Sequence, residues 1–298
     1  MISTCRIRRH ARQRHCGPEP ITSCWTKCRK PPKLLQAVKI AVDRNPGKYR
    51  FVLSGSANLL LMKQVGESLA GRAVYFILDP MTPGEIRRAP RPDILARLLN
   101  DDLPDEGALP EEPADPAEII LRGLMPPLLR LSSLQSWVRW WEGYVATCLE
   151  RDVRQIAQID ALIDFRRLLE LLALRSGQLL NQSALARDAH MSQPTVYRYL
   201  GLLEATHLFE RLPAYAVSHT TRLLKSPRIF LSDPGLAVFL AGYYTVDDVR
   251  AARKYGAYFE TLIYHHLRVL TRLMTSAGRL FFWRTRNGTE VDFVVDRW

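Results

Sequence analysis

Tyr49-Arg50-Phe51-Val52-Leu53-Ser54-Gly55-Ser56 reads as a strand that ends in a small polar turn. Aromatic and branched apolar residues favour an extended backbone, and Ser-Gly-Ser ends it. Upstream, Leu34, Leu35, Val38 and Val42 recur at helical spacing, and Asn45-Pro46-Gly47 stops that helix. Downstream, Asn58-Leu59-Leu60-Leu61-Met62 begins a second helix, and Ala73-Val74-Tyr75-Phe76-Ile77-Leu78 has the composition of a second, buried strand. Helix, strand, helix and strand in alternation predict an α/β fold with a parallel sheet. Such sheets bind ligands at the carboxyl ends of their strands. Ser54 and Ser56 lie at such an end, where their hydroxyls could touch a nucleotide phosphate; plain turn serines are the competing reading. Arg72, just before the second strand, is placed either to reach a phosphate as an arginine finger or to lie on the surface.

Toward the N-terminus the character of the chain changes. Residues 1–33 carry nine Lys and Arg against one Glu, which supplies +8 of the net +12, so the basic balance is mainly an N-terminal property and weak evidence for nucleic acid. They also hold Cys5, Cys16, Cys24 and Cys28 and show no apolar periodicity, which predicts a disordered segment. A basic arm for nucleic acid is one alternative. A zinc site from Cys16, Cys24 and Cys28 with His10 or His15 is another, although no Cys-x2-Cys pair is present. No apolar run follows the charges, as a secretory leader would require. Within this segment Trp25-Thr26-Lys27-Cys28-Arg29-Lys30 permits the codons TGG ACN AAR TGY AGR AAR. Read two bases later, these allow Asp-Glu-Val-Gln-Lys, and the same shift makes Ser23-Cys24 two apolar residues. An apolar run followed by Asp-Glu has the form of a Walker B strand. The expectation is a later part of an ATPase whose early part was lost to a change of frame.

Beyond residue 33 the only cysteine is Cys148, so no disulfide framework is expected, in keeping with a cytoplasmic location. No apolar run is long enough to span a membrane. Residues 93–118 hold nine Asp and Glu against one Arg, with Pro104, Pro110, Pro113 and Pro116, and are expected to form an acidic linker.

Pro32-Lys33-Leu34-Leu35, Leu53-Ser54-Gly55-Ser56-Ala57-Asn58 and Glu67-Ser68-Leu69-Ala70-Gly71-Arg72-Ala73 together resemble a widespread prokaryotic family of AAA+-type ATPases with a C-terminal domain of unknown function. The similarity runs from about Lys30 to the chain end. By this resemblance Ser54 falls near the sensor position and Arg72 in the segment after the sensor helix. The family binds ATP and Mg²⁺ through a glycine-rich phosphate loop, which has no counterpart in these 298 residues, and through Walker B acids, which fall on Thr26 and Lys27. Without backbone N–H groups to cradle phosphates and carboxylates to hold Mg²⁺, ATPase activity and both cofactors are not expected of this chain.

Leu134 to Ala157 is patterned as a helix rich in Trp137, Trp140, Trp141 and Tyr144, and the following Glu150-Arg151-Asp152-Val153 resembles a hallmark of the same family, although a salt-bridged helix segment explains it equally. Residues 164–232 then carry the pattern of a winged helix-turn-helix. Phe165, Leu168, Leu169, Leu172 and Ala173 stripe a first helix. Asn181 and Ser192 are placed to cap a second and a third, with Pro194 in the third helix's first turn. Val196, Tyr199, Leu200, Leu202 and Leu203 stripe the third helix, and Leu208–Leu212 and Arg228–Leu231 supply wing strands. Gln193, Thr195, Tyr197 and Arg198 are its candidate DNA contacts, with Arg211, Arg222, Lys225 and Arg228 on the wing. Contact with another protein is the alternative, and the acids Asp188 and Glu204 flank the candidate recognition helix.

Residues 250–298 pair a helix beginning at Tyr255 with a hairpin around Asn287-Gly288. Glu260 on the helix and Asp292 on a strand resemble the metal-holding acids of a restriction-endonuclease-like core. The Glu-x-Lys strand which that core needs is not among these residues, so the metal site is expected to be incomplete, and solvent-facing strand acids remain the alternative. The fold class expected is thus α/β: a partial ATPase core over 34–92, the acidic linker, and a C-terminal domain over 119–298 that contains the winged helix and a partial α+β segment. Three functions follow: an ATP-binding family protein without ATPase activity, a winged-helix module for DNA or protein, and a metal-dependent nuclease.

Overall fold

The computed structural model describes residues 21–26, 31–54, 69–74, 76–90, 94–100, 102, 114–147, 162–274, 278–285 and 287–296. The chain divides into two compact units, Met1–Ile77 and Leu78–Trp298, each described by itself.

In the first unit β1 (Ile21–Thr26) and β2 (Tyr49–Ser54) form a parallel pair, with Ile21 opposite Tyr49 and Thr26 opposite Ser54. Between them runs α1 (Pro31–Arg44), whose Leu35 and Val38 are buried with Leu69, while Val42 and Phe51 pack alongside. The expected helix and first strand are therefore present, and Gly47 takes the positive φ that turns one into the other. Two expectations are corrected. Residues 1–33 are not without structure throughout: Ile21–Thr26 is a strand and α1 begins at Pro31. Backbone pairing with β2 needs no side-chain periodicity, which is why the segment's composition concealed it. The second correction concerns Ala73–Leu78. No strand forms among its described residues, and Val74, Phe76 and Leu78 are 79%, 90% and 98% exposed. A strand exists only by pairing, and among the described residues the sheet of this unit holds β1 and β2. The expected helix at Asn58–Met62 lies outside the described residues.

The second unit opens with two short helices, α2 (Pro83–Ile86), closed by a Thr82–Glu85 capping box, and α3 (Ile94–Leu98). The helix α4 (Pro116–Arg122) follows, then a 3-10 turn over Pro126–Arg130 and α5 (Leu134–Tyr144). The acidic stretch is thus not all linker: Ile94–Leu98 is helical with Leu95 buried, Asp115 caps α4, and Ala117 and Ile120 are fully buried. Two of its acids, Asp115 and Glu118, sit at the start of α4, where the exposed N–H groups favour them. Of the expected long aromatic helix, α5 contains Trp137 and Trp141, both buried; Glu150-Arg151-Asp152-Val153 lies outside the described residues.

The helices α6 (Leu162–Ala173), α7 (Gln182–Ala189) and α8 (Gln193–Ala205) come next, followed by β3 (Phe209–Leu212), α9 (His219–Leu224) and β4 (Arg228–Leu231). Asn181 and Ser192 cap α7 and α8 as expected, accepting from the N–H groups of Ala184 and Thr195. The predicted stripes of α6 and α8 are buried, and Phe165 meets Tyr199 edge-on at 5.4 Å. β3 and β4 pair antiparallel, and residues 177–180 add hydrogen bonds to the other edge of β4.

The remaining elements are α10 (Pro234–Leu240), α11 (Val246–Ala251), α12 (Tyr255–Arg272), β5 (Arg279–Arg284) and β6 (Glu290–Asp296). β5 and β6 form the expected antiparallel hairpin, turned at Gly288 with φ +90°. The chain beyond β3 then docks onto this hairpin: Tyr215 N–H donates to the Phe282 carbonyl, and Phe282 N–H to that of Pro213. Leu212, Ala214, Phe230, Tyr264 and Phe282 form the core beneath. No helix among the described residues is long and apolar enough to cross a membrane.

Candidate functional site

The nucleotide-site candidates belong to the first unit. The register places Thr26 and Ser54 side by side at the carboxyl end of the parallel pair. Ser56 lies outside the described residues. Arg72 is engaged: its Nε donates to Asp43 at 2.5 Å and its NH1 to the Ala70 carbonyl at 3.0 Å. The hydrogen bond from Arg72 holds the Asp43 carboxyl below the usual carboxylate range. Both groups are substantially exposed, so the pair adds little stability.

The nucleic-acid candidates divide into two sets. Gln193, Tyr197 and Arg198 stand exposed on α8, with Tyr197 64% exposed. Thr195 is half-buried, its hydroxyl bonded to the cap Ser192 at 2.8 Å. Lys225 is exposed. The wing arginines are turned inward, contrary to expectation. Arg211 pairs with Glu204 at 3.4 Å. Arg222 donates to the Ala216 carbonyl, lies 3.5 Å from Asp296 and covers the Phe281 ring. Arg228 is buried, 6% exposed. For Arg222 and Arg228 the cause is the docking of residues 213–215 on β5, which brings the acids of the β5–β6 hairpin against them, whereas Arg211 reaches back to Glu204 on α8.

The metal candidates converge on Arg228. Its NH1 lies 2.8 Å from Asp292 and 3.3 Å from Glu260, and its NH2 lies 3.1 Å from Glu290. Glu260 and Asp292 are therefore brought together, but around a guanidinium. Burial, and then the negative charge of Asp292, push the Glu260 carboxyl up. Among the described residues no group of three or more His, Cys, Asp or Glu side chains is arranged to hold a metal ion.

A second buried charge cluster was not anticipated. Arg268, 5% exposed, pairs with Glu210 and with Asp79 at 2.8 Å, and Arg272 lies 2.5 Å from Asp79. Tyr264 donates to Glu210 at 2.8 Å. Burial would raise the Glu210 carboxyl, but the charge and hydrogen bond of Arg268 prevail and hold it low. Burial, then the Arg268 charge, push the neighbouring His265 down to about 4. Glu260, Tyr264, Arg268 and Arg272 recur every four residues on α12, a polar stripe that the sequence displays.

Against known families, residues 28–87 match an AAA domain, residues 114–247 a domain of unknown function (DUF8612) and residues 255–297 another domain of unknown function (DUF4143). These matches support an AAA-type, ATPase-like family with a C-terminal domain of unknown function. Similar relatives are the uncharacterized protein Mb2031c of Mycobacterium bovis and the uncharacterized protein Rv2008c of Mycobacterium tuberculosis. Each is 29% identical over 268 residues, which cover 89% of this chain and 54% of the relative. The chain thus spans about half the length of the curated relatives it matches. No solved structure matches.

Proposed function

We propose that this chain is an AAA-type family protein that does not hydrolyse ATP and that acts through a winged helix as a binding module for duplex DNA. Support for the first part comes from the carboxyl end of β1 and β2. Thr26 and Lys27 stand where the family resemblance calls for acids, so the residues present do not fit ATP with Mg²⁺. Arg72, the candidate arginine finger, is already held by Asp43. With Mg²⁺ and ATP, phosphate release is expected to stay at background. Turnover that survives purification and disappears on Arg72→Ala would overturn this part.

The observation that carries the second part is the exposed row Gln193, Tyr197 and Arg198 on α8, held by a three-helix scaffold beside the β3–β4 pair. An exposed third helix with one cation and two polar groups suits a groove edge and its phosphates. With the wing arginines engaged internally, binding is expected to be weak and to fall steeply with salt. The test is fluorescence anisotropy of a short duplex, using a chain without residues 1–20 so that their basic charge does not bind by itself. Arg198→Ala is expected to weaken binding uniformly across sequences and to lower the salt slope by about 1. Binding unaltered in that variant would exclude α8 as the contact. Protein contact is then the reading to pursue, and one observation already favours it: Val217, just before α9, and Leu224, its last residue, are 89% and 82% exposed.

A further inference from the structure

The geometry around Arg228 points to a resident cation: we propose that its guanidinium permanently fills the position, between Glu260, Glu290 and Asp292, at which the endonuclease-like resemblance calls for a divalent metal, so that this part of the fold is a metal-independent clasp. The resemblance to an endonuclease-like core calls for a metal on Glu260 and Asp292, and the residues present do not fit one. A single nitrogen, NH1, bridges those two carboxylates at 3.3 Å and 2.8 Å, while NH2 reaches Glu290 at 3.1 Å. A bridging Mg²⁺ or Mn²⁺ would need carboxylate oxygens at about 2.1 Å from the same point. It would also meet the positive charge of the guanidinium at the same point.

Arg228 is not a mobile surface group that a metal could displace. It lies on β4, which has β3 on one edge and residues 177–180 on the other. Its side chain is 7% exposed and rests over the Phe282 ring, 5.4 Å from the centroid. Burial of an arginine this deep costs several kcal/mol unless carboxylates compensate it, and three do so here. They come from α12 (Glu260) and β6 (Glu290 and Asp292), so the clasp joins the β3–β4 pair to the last helix and the hairpin. Arg284, 3.7 Å from Glu290, adds a second cation to the cluster.

The test is Mn²⁺ titration of the full chain by electron paramagnetic resonance, with thermal melts in Mn²⁺, Mg²⁺ and EDTA. The wild-type chain is expected to bind no Mn²⁺ that Asp292→Asn removes, and its melting temperature is expected to ignore all three additions. Arg228→Met keeps the side chain's length and leaves three unpaired acids. This variant is expected to melt lower in EDTA, to recover with Mn²⁺, and to bind Mn²⁺ at least tenfold more tightly than the wild type. Asp292→Asn in that background should abolish the gain. Arg228→Lys retains the charge and should fold without binding Mn²⁺. A wild-type chain that binds one Mn²⁺ lost in Asp292→Asn would overturn the proposal even if Arg228→Met fails to fold. So would a folded Arg228→Met that binds none.

Discussion

Asp233 is fully buried, and its carboxylate accepts N–H bonds from Leu124 at 2.9 Å and Gly235 at 2.7 Å. Burial outweighs those bonds and raises the group to about 6, from 3.8 when exposed. The folded chain therefore holds this proton more tightly than the unfolded chain does. The resulting stability is fully present below pH 3.8 and is lost as pH rises through 6. The separation corresponds to about 3 kcal/mol. Asp233→Asn should remove this component, which urea unfolding at pH 4 and pH 7 would read as a pH dependence smaller by that amount. Arg268 has the opposite sign. It compensates Asp79 and Glu210, and it holds Glu210 below its usual range. Arg268→Met should cost about 3–5 kcal/mol at neutral pH, because the buried Glu210 loses its cation while Asp79 keeps only Arg272. The loss should shrink as pH falls, because Glu210 without Arg268 keeps the burial that raises its carboxyl, and equilibrium unfolding of both chains at neutral and acid pH checks it.

At the scale of elements, the tightest crossing is between the end of α4 and the start of α10. Gly123 has φ +82°, and a Cβ on Gly235 would lie 2.6 Å from the Gly123 Cα. Backbone on both sides cannot give way as a flexible side chain would. Gly235→Ala should therefore destabilise by about 1–3 kcal/mol, measurable as a lower urea midpoint with an unaltered slope. Trp141 seals the same crossing and donates its indole N–H to the Arg122 carbonyl at 3.2 Å. The hairpin is held differently. Phe230 and Tyr264 stack at 4.2 Å beneath it, and residues 213–215 hydrogen-bond to β5. It is an integral layer of the C-terminal unit, which is why Arg222 and Arg228 face its acids.

At the scale of the whole chain, the boundary between units falls after Ile77, earlier than the acidic stretch at 93–118 where composition placed it. Asp79 belongs to the C-terminal unit by its pairs with Arg268 and Arg272, and Met81 donates its N–H to the Leu124 carbonyl. A fragment of residues 78–298 is thus expected to unfold cooperatively, with a melting temperature within a few degrees of the full chain's. Calorimetry of both would check this, and a fragment without a cooperative transition would refute it.

What residues 162–205 and the hairpin at Asn287-Gly288 form was legible in the sequence. Caps, stripes and turns act over a few residues, and Asn181, Ser192 and the stripe from Phe165 to Ala173 state them locally. The strand at Ile21–Thr26 was not legible, because its warrant is a partner more than twenty residues away. Nor was the fate of the charged side chains. An arginine at position 228 reads as a solvent-facing wing cation until residues 260, 282, 290 and 292 converge on it. Periodicity determined which faces are apolar; the meeting of elements distant in sequence decided which charges are buried, since burial depends on what packs above a residue and not on its neighbours in the chain.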